Sequence, residues 1–349
     1  MPTASPAPRR LEPVIESPTG PRSCPATWQQ ELAQAIRDPD ALIDRLGLPD
    51  ELRATARRAA ALFPLFVTES FLRRIEPGNP LDPLLLQVLP LAAETNSPAE
   101  FTTDPLEEAT AHRAPGLLQK YAGRALMVST GACAIHCRYC FRRSFPYGDE
   151  PRRLADWEPA FDQLRADPSI REIILSGGDP LMLSDARLSE IVGRLDEIPH
   201  LDRLRVHTRL PIVLPSRVTG RLIELLRGLH MTSIVVVHAN HPAEIVGDCR
   251  DSLRLLVTSG LTVLNQTVLL AGINDSAEPL AELSLRLVNL GVMPYYLHQL
   301  DRVTGTAHFE VPVSRGLELI EELRARLPGY AVPQYVREVP GEQHKMPLV

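Results

Sequence analysis

The stretch that decides the fold reads Ala125-Leu-Met-Val-Ser-Thr130-Gly-Ala-Cys133-Ala-Ile-His136-Cys137-Arg-Tyr139-Cys140. Its first six residues are apolar and β-branched enough for a buried strand bounded by Gly131. Behind that strand stands Cys-x3-Cys-x2-Cys, and thiolates so spaced on a looping chain can converge on a small volume. Zinc wants a fourth ligand, often from a second pair, yet the remaining Cys24 and Cys249 are isolated and distant. Three Cys ligands on a four-iron cluster leave one iron open for a substrate or cofactor. A cluster is therefore expected, with structural zinc as the competing reading. His136 lies between two of the Cys and is expected to point away.

Working outward, short apolar runs recur, each followed by a helical stretch. The expected strands are Ala125–Thr130, Glu172–Ser176, Leu204–Thr208, Ser233–His238, Leu261–Leu269 and Met293–His298. The expected helices between and after them are Trp157–Ala166, Ser184–Ile198, Ser216–Leu229, Cys249–Ser259, Pro279–Leu290 and Ser314–Arg326. Strand starts fall 47, 32, 29, 28 and 32 residues apart, which is βαβ spacing. Near-continuous apolar strands fit a parallel sheet covered by helices. The expected fold class is α/β, a partial (β/α)6 barrel with a helical N-terminal portion; an open doubly wound sheet is the competing topology. In both, ligands gather at the C-terminal ends of the strands.

On the N-terminal side, seven of the 33 prolines fall within the first 25 residues, so 1–26 reads as a Pro-rich disordered arm. Residues 27–111 read as helical, with Trp28–Ile36, Glu51–Leu62, Phe66–Arg74 and Pro83–Leu89 as examples and no convincing strand. The core is expected over 112–330, and a C-terminal segment over 331–349. With 37 basic and 43 acidic side chains the net charge is −6, which argues against bulk nucleic-acid or membrane binding. The apolar runs are too short to span a bilayer, and no secretory pattern opens the chain. Five Cys do not make a disulfide framework. A reducing, cytoplasmic setting is expected, with Cys24 and Cys249 as plain thiols.

Only Lys120 and Lys345 are lysines, so 37 − 2 = 35 of the basic side chains are Arg. Arg cannot form a Schiff base with a carbonyl, and Lys can. Covalent amine chemistry, if present, has two candidates. Ser176-Gly177-Gly178-Asp179-Pro180 closes the second strand. Alone it is a turn signal, but glycines also let backbone approach a ligand.

The Cys triplet with Tyr139 before its last Cys, followed one strand later by the Gly-Gly-Asp segment, resembles the radical S-adenosylmethionine superfamily. Further segments narrow the resemblance to the lysine 2,3-aminomutase family: Lys120-Tyr121-Ala-Gly-Arg124, Cys140-Phe-Arg142-Arg143, His238-Ala-Asn240-His241-Pro242, Leu264-Asn265-Gln266, Pro294-Tyr295-Tyr296 with Asp301, and Gly341-Glu-Gln-His-Lys345-Met-Pro347. The match runs in order from about Ala111 to Val349. The runs Phe141–Tyr147 and Val292–His298 are similar to members that make (R)-β-lysine for elongation factor P.

The resemblance implies a radical-SAM barrel enzyme, an isomerase moving an amino group on free lysine. It implies a [4Fe-4S] cluster on Cys133, Cys137 and Cys140, and S-adenosylmethionine contacted by Ser176, Gly177, Gly178 and Asp179. It also implies pyridoxal 5'-phosphate carried by Lys345. Tyr121 would stack on the pyridine ring, with Arg124 and Lys120 toward its phenolic oxygen or phosphate. His238 and Gln266 would line one of the two cofactor pockets, and Arg209 would meet the methionine carboxylate. Arg142 is the implied carboxylate ligand of the substrate; Asp301 and Glu338 are the implied ammonium ligands. Lys120 stands where longer aminomutases carry Arg, and Glu338 where they carry Asp. An external electron donor and a link to an elongation factor P ligase are implied as partners. An aminomutase for another cationic amino acid and a non-catalytic metal-binding module are the alternatives.

Overall fold

The computed structural model describes residues 27–349; the expected Pro-rich arm at 1–26, with Cys24, lies outside the described residues. Four helices open the described chain: α1 Trp28–Ala33, α2 Pro39–Leu46, α3 Leu52–Leu62 and α4 Glu69–Leu72. Helix α2 was not anticipated, although its signals are local. Asp38 accepts from the amides of Asp40 and Ala41, Pro39 takes the first turn, and Gly47 ends the helix at φ 61°. Phe66–Arg74 shrinks to the single turn of α4, and Pro83–Leu89 forms hydrogen-bonded turns rather than the expected helix. Asp82 caps the amides of Leu84 and Leu85, but the bonds that follow mix three-residue steps (Gln87 to Leu84, Val88 to Leu85) with four-residue ones (Leu86 to Asp82, Leu89 to Leu85), so the segment stays a run of turns.

From there one ten-stranded sheet runs in sequence order: β1 His112–Ala114, β2 Leu117–Leu118, β3 Arg124–Thr130, β4 Glu172–Gly177, β5 Arg203–Thr208, β6 Thr232–His238, β7 Thr262–Val268, β8 Met293–His298, β9 Gln334–Arg337 and β10 Met346–Pro347. Strands β3 to β9 pair in parallel, while β1, β2 and β10 add antiparallel ribbons at the two ends. Covering helices are α5 Glu158–Ala166, α6 Asp185–Asp196, α7 Leu210–Val213, α8 Gly220–Arg227, α9 Gly247–Thr258, α10 Ala277–Val288 and α11 Val313–Arg326. The two end strands do not meet, so the barrel is partial, as the six expected units required. A seventh parallel strand, β9, comes from the C-terminal segment, which was not expected to join the sheet.

The local chemistry is ordinary. Ser184 caps α6 and Thr219 caps α8. Alternate strand residues point inward at i and i+2, which sends Ile174 and Ser176, Arg205 and His207, Gln266 and Val268, and Tyr296 and His298 into one cavity. Outward residues such as Ile173, Leu175, Leu204 and Val206 are buried against the helices. No helix among the described residues is long and apolar enough to cross a membrane.

Candidate active site

The barrel encloses a cavity of about 310 Å³. All sixteen candidate residues from the sequence lie in its wall: the three Cys, Lys120, Tyr121, Arg124, Arg142, Ser176, Gly177, Gly178, Asp179, His238, Gln266, Asp301, Glu338 and Lys345. The elements that carry them span most of the partial barrel, so only the tertiary fold assembles the set.

The Cys loop leaves β3 through a register shift between Val128 and Thr130. Gly177 and Gly178 lie against it. A Cβ on Gly177, at φ 120°, would stand 2.5 Å from the Thr130 carbonyl oxygen, and one on Gly178 would stand 2.4 Å from that of Ala132. These glycines are thus required by loop packing as well as by any ligand. The outer side of the loop is held by the helical portion. The His136 amide donates to the Phe66 carbonyl at 2.9 Å, and His136 Nδ1 donates to that of Pro64 at 2.8 Å. Arg138 forms a two-point pair with Glu94 at 2.8 and 2.5 Å, and Arg143 joins the same carboxylate at 2.8 Å. His136 therefore turns toward the helical portion.

The thiols fit a multi-iron group. The three thiols line one cavity. Burial pushes the Cys140 thiol up to about 12, with the neighbouring Cys137 adding to the rise. Burial raises Cys133 well above the ordinary thiol value too, and Cys140 and Cys137 contribute. Thiols so reluctant to ionise give up their protons to a metal that supplies positive charge, and cationic iron does so. Cys249 lies elsewhere, on the buried face of α9, where burial pushes its thiol up to about 12.

Two expectations change. Asp179 does not offer a free carboxylate. It accepts from the Thr208 hydroxyl at 2.7 Å, from the Arg209 amide at 2.6 Å, and from the Leu181 and Leu210 amides at 3.0 and 3.2 Å. Burial raises it to about 6 against these bonds. It ties the end of β4 to the end of β5. Arg209 likewise reaches Cys137 Sγ at 2.6 Å, Gln87 at 2.6 Å and Glu244 at 3.0 Å, leaving only Nε unpaired. His238 stacks on Tyr139 and accepts from its hydroxyl through Nε2 at 2.9 Å, or donates to it in the other tautomer. Gln266 sits beside it in register on β7.

At the other end, the β9–β10 hairpin matters most. Met346 pairs with Arg337, so Glu338 and Lys345 face each other where the two strands diverge. Their side chains form an ion pair, and Lys120 reaches the other oxygen of Glu338 at 3.0 Å. The only two lysines of the chain are thus held by one carboxylate. Burial raises the Glu338 carboxyl, but the two ammonium groups outweigh it and hold the group far below the usual range. Asp301 stands in the same wall. Burial, then the charge of Glu338, raise it to about 7, opposed by Lys345 and Lys120.

Tyr121 lies under the Arg124 guanidinium at 4.7 Å. Its hydroxyl, Arg205 Nε and His207 Nε2 are buried in this wall without hydrogen-bond partners. Buried polar atoms are rarely left so. Two lysines, two arginines and unpaired polar atoms around an aromatic ring suit an aromatic phosphate, and pyridoxal phosphate fits them. Sequence reasoning missed Arg205, His207 and Glu108. The first two follow from inward alternation on β5. Glu108, on a short 3-10 turn, carries no sequence signal; it pairs with Arg142 through two bonds of 2.8 and 2.7 Å.

The model of the Radical SAM superfamily matches residues 127–284. The chain is 45% identical to an L-lysine 2,3-aminomutase of Escherichia coli and 43% identical to one of Haemophilus influenzae, over 92% and 91% of this chain and 94% of each relative. It is 36% identical to that of Clostridium subterminale, over 92% of this chain and 77% of the relative. Enzymes of this kind work with a [4Fe-4S] cluster, S-adenosylmethionine and pyridoxal phosphate. The inward charges, the Cys loop and the paired lysines therefore belong to an isomerase, and the chain is a member of the lysine 2,3-aminomutase family of radical SAM enzymes.

Proposed function

We propose that the protein converts L-α-lysine into β-lysine by moving the amino group from the α- to the β-carbon. One observation carries this reading: the Cys triplet and both lysines open onto one cavity. When bound, the cluster with S-adenosylmethionine supplies a radical that removes and returns a hydrogen atom, and pyridoxal phosphate holds the migrating nitrogen.

Cys133, Cys137 and Cys140 would hold three irons. The backbone at Ser176, Gly177 and Gly178 would admit the methionine part, with Asp179 keeping that turn in place. Lys345 would carry pyridoxal phosphate, Tyr121 would cover its ring, and Lys120 and Arg124 would meet its phosphate. His238 and Gln266 line the space between the two. Arg142 would receive the substrate carboxylate, because a guanidinium fork matches it. Asp301 and Glu338 would receive the distant ammonium, and a carboxyl titrating near 7 can bind a cation without holding a permanent uncompensated charge. The inward-facing charges give lysine a cationic and an anionic end, while helices and the sheet keep bulk water from the barrel's flanks.

The (R) product, a functional link to an elongation factor P ligase, an external electron donor and a cytoplasmic setting complete the proposal. They are supported by the similarity of Phe141–Tyr147 and Val292–His298 to the β-lysylation protein EpmB. The domain plan is a helical portion at 27–111, a core at 112–330 and a segment at 331–349 bearing Lys345. Glu338 in place of Asp, pinned by two lysines, favours one competing reading, an isomerase for a shorter or longer cationic amino acid.

The test is anaerobic incubation of the cluster- and pyridoxal-loaded protein with S-adenosylmethionine, a strong reductant and L-lysine, ornithine or arginine. Chiral chromatography should find (R)-β-lysine as the dominant product. A β-amino acid from ornithine or arginine at higher kcat/KM establishes the competing reading, and no product from any of them overturns both.

A further inference from the structure

The Arg142 guanidinium is already nearly full. Nε and Nη2 donate to the two oxygens of Glu108 at 2.8 and 2.7 Å, and Nη1 donates to Ser176 Oγ at 2.9 Å and the Gly177 carbonyl at 3.4 Å. One N–H, on Nη2, is left. Both partners are buried, at 6% exposure for Arg142 and 5% for Glu108, so the pair is nearly neutral toward an arriving anion. A carboxylate that is to use the fork must displace something. Ser176 and Gly177 are neutral and fixed in β4, which leaves Glu108. A second cation waits for it: Lys120 Nζ stands 3.9 Å from Glu108 Oε1. The backbone is bent to place Glu108 there, for Glu107 at φ 49° is the one non-glycine residue with positive φ among the described residues.

Resting on the lysine reading above, we propose that Glu108 is a specificity-determining residue, a resident counter-anion of Arg142 that the substrate carboxylate displaces and Lys120 receives. The exchange keeps every charge paired. The substrate carboxylate takes Arg142, Glu108 takes one of the three Lys120 N–H groups while the cofactor phosphate keeps another, and the Glu338 oxygen that Lys120 releases becomes open to the substrate ammonium. A ligand with both a carboxylate and a distant ammonium completes the set; a ligand lacking the carboxylate leaves Glu108 in place. No unpaired buried charge arises at any stage, which is the condition under which buried ion pairs can rearrange cheaply.

Equilibrium binding to the cluster- and pyridoxal-loaded protein, without reductant and therefore without turnover, tests this. Calorimetry with L-lysine and with L-lysinamide, which lacks the carboxylate, compares wild type with Glu108→Gln. Removal of the competing anion should tighten L-lysine about tenfold and change L-lysinamide by less than twofold. Glu108→Asp, which keeps the charge but loses one of the two contacts, should tighten L-lysine about threefold, and it serves if Glu108→Gln does not fold. Unchanged or weaker L-lysine binding in the folded variant overturns the exchange, and so does an equal change for both ligands. Wild type that binds L-lysinamide and L-lysine equally shows that the carboxylate is not read at all, and then the lysine reading itself fails.

Discussion

Two charged networks flank the Cys loop, and they differ in completeness rather than composition. On the outer side, Glu94 grips Arg138 and Arg143, and the last Arg138 donors reach the Phe63 and Pro64 carbonyls at 2.8 and 3.2 Å. Arg138 is fully buried and every nitrogen is paired. On the cavity side, Lys345, Glu338, Lys120, Glu108 and Arg142 alternate in sign along a wall where Tyr121, Arg205 and His207 still hold unpaired polar atoms. A satisfied buried network fixes a shape. An alternating network with spare donors and a 3.9 Å contact can trade partners. The helical portion thus acts as a clamp, and the cavity wall as a binding surface.

The largest test of this division strikes the loop between them. Replacement of Cys133, Cys137 or Cys140 by Ala should abolish iron binding and reduce isomerase turnover to background, with iron and sulfide analysis as the check; full iron content in any single variant breaks the assignment. Next, Lys345→Ala should lose the pyridoxal absorbance that borohydride would fix to the wild-type peptide, with turnover falling by about 10⁴-fold or more. Retained label and turnover would remove Lys345 from the cavity's chemistry.

The clamp answers to stability instead. Glu94→Ala leaves two buried guanidinium groups without their shared carboxylate, and breaking such a pair is worth about 3–5 kcal/mol. Denaturant unfolding should register that loss, with faster release of iron in air because the Cys loop is freed. Equal stability would make the clamp incidental.

The smallest effect is a pH dependence. Asp301 titrates near 7 in the fold, against 3.8 as its ordinary value. A carboxyl raised on folding stabilises below its unfolded value, and that contribution is lost as pH rises from about 4 to about 7. The charged form created above 7 faces Glu338, Lys345, Lys120 and Glu108, and it can pair with a substrate ammonium. KM for L-lysine should therefore fall about tenfold as pH rises through about 7, as one charged hydrogen bond of about 1.5 kcal/mol allows. Asp301→Asn should flatten the profile; an unchanged slope in that variant removes Asp301 as its source.

Much of this was legible beforehand. The six core strands begin within one residue of their expected starts, because inward and outward alternation and β-branched runs are local signals. Pro83–Leu89 starts like a helix, with Asp82 capping the amides of Leu84 and Leu85, but its later bonds mix three- and four-residue steps, so no regular helix follows. Asp179 and Arg209 were recognised as important residues, but what each holds depends on partners from other strands. Glu108 gave no signal at all, since an acidic residue in an irregular segment usually faces water.

The sequence by itself determined the alternation of strands and helices, the triplet of thiols, the glycines that must pass close to it, and a choice between two lysines. Those are properties of spacing along the chain. Only the tertiary structure decided that Lys120 and Lys345 share one carboxylate, that a seventh strand and its hairpin bring them together, and that Arg142 arrives already paired. Lys120 and Glu338 lie 218 positions apart and Arg142 and Glu108 lie 34 apart. Such pairings depend on how the sheet curls and on which charges burial forces together, and no periodicity along the chain encodes either.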